Sequence, residues 1–246
     1  MSGDVEAPPR SGLAKPRVHG GVVREIALRI LGGAVRPGAT LPTEPELQAA
    51  FGISRSALRE AMRVLSAKGL VQVRPRTGTV VRGPQDWNRL DPEVLDWSLA
   101  IAPDLAFVRS LLEARRVFEP AAAEFAAARA SGQDVARIEA AYLGMASSLP
   151  HDVEACCQAD VAFHAAILRA SGNVVLQQLV GTMGAALGNV FRLSTQLAAS
   201  HERALSAHAT VLDCIRLRDA AGARAAMLGL LQVASDDLAP LLAERA

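Results

Sequence analysis

Aromatic side chains are scarce in this 246-residue chain: one Tyr, two Trp and six Phe amount to 4% of it. A core must then be filled by aliphatic groups, and abundant alanine with only short β-branched runs favours helices packed closely through small side chains. Cysteine is scarce too. Cys156, Cys157 and Cys214 are too few and too clustered for a disulfide framework, and the N-terminus lacks the apolar core of a signal peptide. The expected compartment is reducing, the cytoplasm. A long hydrocarbon run is also missing. The most apolar window, "VVLQQLVGTMGAALGNVF", carries Gln177, Gln178, Thr182 and Asn189 where a membrane span would want hydrocarbon. It reads as a buried helix of a soluble bundle, and no membrane partner is expected.

Half of the residues are apolar, which excludes a disordered chain, and the length suits two modest domains or one large one. Net charge is only +1, but the average hides a division. Residues 17–83 hold 11 Lys/Arg against 4 Glu, whereas residues 84–246 hold 13 against 19 acids. A basic small module precedes an acidic large one, so a polyanionic partner is expected for the first part only.

Residues 1–16 have Pro, Gly and Ser without periodicity and read as a flexible tail. In residues 17–83 the apolar spacing of Val22, Ile26 and Ile30 predicts a helix that stops at Gly32-Gly33. Thr43 with Glu46 forms a capping box, and Pro45 sits in the first turn, predicting a helix over about 43–50. Ser54 caps a third helix over about 54–68, which ends at Gly69. "LVQVRP" and "TGTVVRG" then alternate as strands of a hairpin with basic residues at its tip. This order is that of a winged helix-turn-helix. On the third helix Leu58, Ala61, Met62 and Leu65 form the buried stripe, while Arg55, Arg59 and Arg63 fall on another face. A row of helix arginines alone is usually a solvated face. Here a cap whose free N–H groups favour phosphate, a basic wing and the domain charge all agree on DNA. Arg63, further along the helix, is open between solvent and phosphate.

Residues 84–103 read as a linker containing a short helix, with Trp87 and Trp97 as packing anchors. From Asp104 to residue 246 the pattern is helical throughout, with segments at about 104–130, 134–148, 152–171, 174–198, 202–218 and 220–243. The expected fold is mainly α: an N-terminal winged helix-turn-helix with a small β-hairpin wing, then a C-terminal antiparallel all-α bundle.

"LPTEPELQAAFGISRSALREAMRVLSAKGLVQVRPRTGTVV" resembles the GntR family of bacterial transcription regulators, whose pattern runs PG-x-x-LP-x-E-x-x-LA, SR-x-x-(V/L)REAL-x-x-L-x-x-x-GL and a wing ending G-x-x-V. The resemblance implies that the helix starting at Ser54 enters the major groove and the wing tip the minor groove. It carries DNA contact to Arg55 and Arg59, phosphate proximity to Thr43 and Ser56, and a tight wing turn to Gly78. Arg74, Arg76 and Thr77 complete the basic tip. Where the family often has an arginine between two glutamates, this chain has Pro45, so one usual DNA contact is absent.

"EARRVFEPAAAEFAA", "DVAFH", "SGN" and "AHATVLDCIRLRDAAGARAAML" resemble, in order, the helical effector-binding domain of the FadR subgroup of that family. By spacing alone, Asp160 and His164 at i and i+4 can share one ion or make an ordinary helix-surface contact. By resemblance both are metal ligands, for Zn²⁺, Ni²⁺ or Mn²⁺, and His208 is the third. The fourth family ligand, a histidine, is replaced by Leu230. Cys156 and Cys157, one turn before Asp160, are either core residues or a substitute thiolate. Arg115 matches an arginine that in relatives pairs with an effector carboxylate; its alternative is an intrahelical pair with Glu119. Asn173 and Arg192 are further cavity candidates, while Gly181, Gly184 and Gly188 suit close helix packing.

The resulting expectation is a ligand-responsive regulator, a repressor, binding a palindromic operator as a homodimer and released by a small carboxylate. It is not an enzyme: a metal-dependent hydrolase would want a glutamate base of the H-E-x-x-H kind or a nucleophile elbow, and neither occurs. A DNA-binding protein whose bundle is blind to ligand is the remaining alternative, motivated by Leu230.

Overall fold

A computed structural model describes residues 18–74, 77–101, 104–181, 188 and 201–243. The chain divides into two compact units, one ending at Asn88 and the other beginning at Arg89.

The first unit is built from α1 (Val18–Leu31), α2 (Glu44–Phe51), α3 (Arg55–Ala67), β1 (Val71–Arg74) and β2 (Gly78–Val81). The predicted stripe holds: Leu58, Ala61, Met62 and Leu65 of α3 are buried, against α1 with its buried Val22, Val23, Ile26 and Ile30. β1 and β2 are antiparallel, with Val71 opposite Val81 and Arg74 opposite Gly78. Sequence periodicity missed a further pairing. The segment before α2 lies along β2, with Thr40 bridged to Val80 and Leu41 N–H donating to Thr79 O at 2.8 Å. The stretch from Ala39 to Pro42 is too short to show an alternating pattern.

The stretch 84–103 is shared between the units. Its first part, a 3₁₀ turn at Pro84–Asp86, folds back on the first: Asn88 N–H donates to Lys68 O at 3.0 Å and Trp87 Nε1–H to Arg82 O at 3.1 Å. This closure needs glycine at 69, where φ is +75° and a Cβ would stand 2.2 Å from Asp86 O. Its later part forms α4 (Pro92–Ile101), and Leu95 joins the apolar cluster of Val108, Leu111, Leu112 and Leu238 in the second unit. Trp97 is buried and Trp87 half-buried.

The second unit continues with α5 (Leu105–Arg129), α6 (Gly132–Ser148), α7 (Val153–Ala170), α8 (described over 174–181), α9 (His201–Arg216) and α10 (Ala220–Ala243). α6 starts two residues before its expected place because Ser131 caps it: Asp134 N–H donates to Ser131 Oγ, and the Asp134 carboxylate accepts from Ser131 N–H. Of the rest of the expected 174–198 helix only Gly188 is among the described residues; Gly184 and Arg192 lie outside them, as does Arg76 in the wing.

α5 packs against α7, α9 and α10, and α6 against α7 and α9. Small side chains make this close approach work. Ala122, Ala123, Ala126 and Ala127 of α5 are fully buried beside Phe163, Ile167, Val211, Leu212 and Met227, and alanine loses no rotamer entropy there. α10 is long and apolar enough by composition to cross a membrane. In this bundle its Ala223, Met227, Leu230, Leu231 and Leu238 are buried instead.

Gly69→Ala is expected to destabilise the first unit by about 1–3 kcal/mol, from left-handed backbone strain plus the overlap with Asp86. Urea unfolding measures this, and an unchanged midpoint would show that the 84–88 segment does not close over residue 69.

Candidate functional site

Two constellations collect the predicted site residues, one in each unit. In the first, α3 and the wing border an open groove of about 950 Å³ lined by Arg55, Ser56, Arg59, Arg63, Val73 and Thr79, with Glu44 and Glu60 among them. Ser54 caps α3 as expected: its Oγ accepts from Ala57 N–H at 3.3 Å and lies 3.0 Å from Ser56 Oγ. Thr43 donates from both its N–H and its Oγ1 to the Glu46 carboxylate, each at 2.8 Å. Those bonds hold the Glu46 carboxyl below its ordinary range.

The three arginines of α3 do not stand alike. Arg55 Nε pairs with Glu44 Oε2 of α2 at 3.4 Å, and Arg63 grips Glu60 with two bonds of 2.9 and 2.7 Å. Arg59, between them, is exposed. All these side chains face solvent, where such pairs contribute little and yield readily to a phosphate. In the wing, Arg74 donates to Gln72 Oε1 at 3.1 and 3.2 Å. Thr77 and Gly78 are exposed, and Gly78 has φ +86° with Thr40 close behind it. The Glu44–Arg55 link joins two helices eleven positions apart in sequence, and no periodicity shows it.

In the second unit, Asp160 and His164 stand one turn apart on α7, and His208 reaches them from α9. Their donor atoms all lie within 4.8 Å of one another. Asp160 Oδ1 is 3.0 Å from His208 Nε2 and 3.3 Å from His164 Nε2. Burial opposes ionisation of Asp160, but His208 and His164 outweigh it and hold its carboxyl well below the usual range. Both imidazoles are buried, with Phe163 edge-on to each.

The outer nitrogens decide what the inner ones can do. His208 Nδ1 is 2.7 Å from Ala204 O, and His164 Nδ1 is 2.6 Å from Glu119 Oε2. A carbonyl and a carboxylate can only accept, so each Nδ1 carries a proton and each Nε2 faces Asp160 Oδ1. Burial opposes the charged form of His164, but Glu119 and Asp160 prevail and raise its pKa above the ordinary value. A bound ion would take the place of a proton at Nε2. Two lone pairs and a carboxylate oxygen facing one another repel unless an extra proton or a cation lies between them. The donor set therefore fits a divalent metal, with two imidazoles and one carboxylate leaving positions open for a ligand.

Arg115 sits beside this set, buried. Its Nε donates to Glu119 Oε1 at 2.7 Å, so the intrahelical alternative is realised, and its Nη2 lies 3.5 Å from His164 Nε2. Burial alone would push the Glu119 carboxyl up; Arg115 and His164 prevail and hold it at about 2. Cys156 and Cys157 are buried core residues, and burial with the Asp160 charge pushes the Cys156 thiol up to about 11, away from a ligating thiolate. Asn173, the further cavity candidate, uses its Oδ1 to accept from Val175 and Leu176 N–H and so caps α8. Leu230 is buried in the bundle core and offers no donor atom.

A winged helix-turn-helix followed in one chain by a helical bundle with a buried imidazole–carboxylate site defines the class: a DNA-binding regulator with a sensor domain. Residues 19–81 match the bacterial regulatory proteins of the gntR family, and residues 110–233 match the FCD domain. The chain is 35% identical to the galactonate operon transcriptional repressor of Escherichia coli (strain K12), over 85% of this chain and 92% of that one. It is 34% identical to the putative L-lactate dehydrogenase operon regulatory protein of the same organism, over 79% and 76%. A solved structure described as "Lar controls the expression of the Listeria monocytogenes agr system and mediates virulence" shares the fold at a TM-score of 0.62 and 21% identity, covering 90% of this chain and 96% of that one. The protein belongs to the GntR family, with an FCD effector domain. It is a transcription regulator and not an enzyme. FCD domains commonly bind metal, and Asp160, His164 and His208 are a set able to hold one.

Two outcomes are expected. Arg55→Ala should reduce operator discrimination by about 1–3 kcal/mol while leaving the fold intact, since the side chain lies outside the buried stripe; unchanged affinity in a gel-shift titration would remove α3 from the groove. Zn²⁺ at a hundredfold excess over its Kd should stabilise the wild type by about 2.7 kcal/mol. That thermal shift should vanish in His208→Ala and grow in Leu230→His, whereas a full shift in His208→Ala would place the ion elsewhere.

Proposed function

We propose that this chain is a cytoplasmic repressor that binds a palindromic operator as a homodimer and leaves DNA when a small carboxylate metabolite enters its helical unit. The observation that carries this reading is the meeting of Asp160 and His164 from α7 with His208 from α9 at one point, beside the Arg115 guanidinium. With a divalent ion bound there, Glu119 offsets Arg115 and Asp160 offsets half of the ion, so one positive charge is left over. Such a site favours one monoanion.

The bound metal would supply Lewis acidity for an anionic oxygen. The chain's own residues do the rest: His164, His208 and Asp160 hold the ion, and Arg115 offers a planar guanidinium edge suited to a carboxylate. The names of two relatives concern operons for galactonate and L-lactate, both hydroxycarboxylates, which supports this ligand class.

On the DNA side, α3 enters the major groove, where Arg55 and Arg59 contact DNA. Thr43 and Ser56 sit near phosphates beside the Ser54 cap, and the wing tip at Arg74, Arg76, Thr77 and Gly78 reaches the minor groove. A two-fold protein requires paired half-sites, hence the palindrome.

The test is a gel-shift of the full chain on its own promoter fragment, with Zn²⁺ present, against a panel of hydroxycarboxylates including galactonate and L-lactate. Release by one of them is expected, and Arg115→Met should need at least tenfold more of it, for loss of charge-assisted bonds worth about 1.5–3 kcal/mol. Retention of DNA against the whole panel would favour a bundle that senses no carboxylate. Light scattering should give the mass of a dimer.

A further inference from the structure

Glu119 is buried in α5 and belongs neither to the donor set nor to the effector-facing group described above. Its two oxygens nevertheless serve both. Oε1 accepts from Arg115 Nε at 2.7 Å, while Oε2 lies 2.6 Å from His164 Nδ1 and 3.4 Å from Arg115 Nη2.

We propose that Glu119 is a positioning residue for the metal centre, holding His164 in the one tautomer and ring orientation that turns Nε2 toward Asp160 and His208. This rests on the metal reading of the site. Three features carry it. First, His164 offers only two polar atoms, and Glu119 takes the outer one, so the inner one is left as donor. Second, the corresponding outer nitrogen of His208 is held by a neutral carbonyl, Ala204 O at 2.7 Å. The two imidazoles are thus oriented unequally, one by a charge and one by a dipole, and the carboxylate makes His164 the more basic ligand. Third, Glu119 neutralises Arg115, whose guanidinium stands 3.5 Å from the very nitrogen that would ligate. Without that carboxylate an uncompensated cation would face the metal position.

The second and third features separate by experiment. Glu119→Gln alone leaves Arg115 buried without its counter-charge, and that variant can fail to fold. The informative comparison is Arg115→Met against Arg115→Met/Glu119→Gln, since both lack the guanidinium and differ only in the group facing His164 Nδ1. Zn²⁺ affinity is measured by competition with a chromophoric chelator, with Co²⁺ absorption as a signature of the ligand field. Arg115→Met is expected to bind Zn²⁺ at least as tightly as wild type, because a neighbouring positive charge is gone. The double variant is expected to bind about 10–100-fold more weakly and to show an altered Co²⁺ spectrum, although it no longer buries the unpaired carboxylate that Arg115→Met leaves behind. Equal Zn²⁺ affinity in the two variants overturns the assignment and makes Glu119 a partner of Arg115 alone. Wild type that binds no Zn²⁺, or binds it as well after His208→Ala, defeats the metal reading itself and the assignment with it.

Discussion

The helical unit depends on one buried carboxylate. Glu119 is held between Arg115 of its own helix and His164 of α7, in a core that is otherwise alanine and branched aliphatic. A lone ion there would cost several kcal/mol; three groups that satisfy one another remove most of that penalty, and taking any one away costs about 3–5 kcal/mol. From this contact the site follows in sequence. α5 anchors His164, His164 and Asp160 meet across one turn of α7, and Asp160 meets His208 of α9, which Ala204 O locks from behind.

The two units use charge in opposite ways. In the first, the arginines of α3 stay in water, loosely held by Glu44 and Glu60, and can exchange those carboxylates for phosphates at little cost. Binding of that kind falls steeply as salt is added, because it releases counterions. In the second, every charge near His164 is withdrawn from water, so a single added ion or anion changes the local balance strongly. A surface built for reversible contact with a polyanion and an interior built to register one small ligand suit a regulator of the GntR family.

Leu230 sharpens that interior. It is buried in the same apolar cluster as Met227, Leu231 and Leu212 and offers an ion no donor atom. A three-donor site holds its ion less firmly than a four-donor one and leaves more of the coordination sphere to a ligand. With three donors, the ligand and the ion would therefore depend on each other more closely.

Local physics wrote much of this protein into its sequence. The caps at Thr43 and Ser54, the stripe from Leu58 to Leu65, the hairpin and the pairing of Asp160 with His164 all arise between residues within a few positions of one another, where spacing alone states who is neighbour to whom. The resemblance of motifs carried His208 to the same point, though spacing could not. What only the tertiary structure decided are meetings between separate elements: Thr40 against Val80, Arg55 against Glu44, and the closure of the 84–88 segment over Gly69. Glu119 shows the difference most clearly. Four positions from Arg115, it was legible as half of a helical pair. That its second oxygen would orient His164, 45 positions away on another helix, depends on how α5 and α7 cross, and packing of whole helix faces settles that crossing rather than any residue's neighbours in the chain.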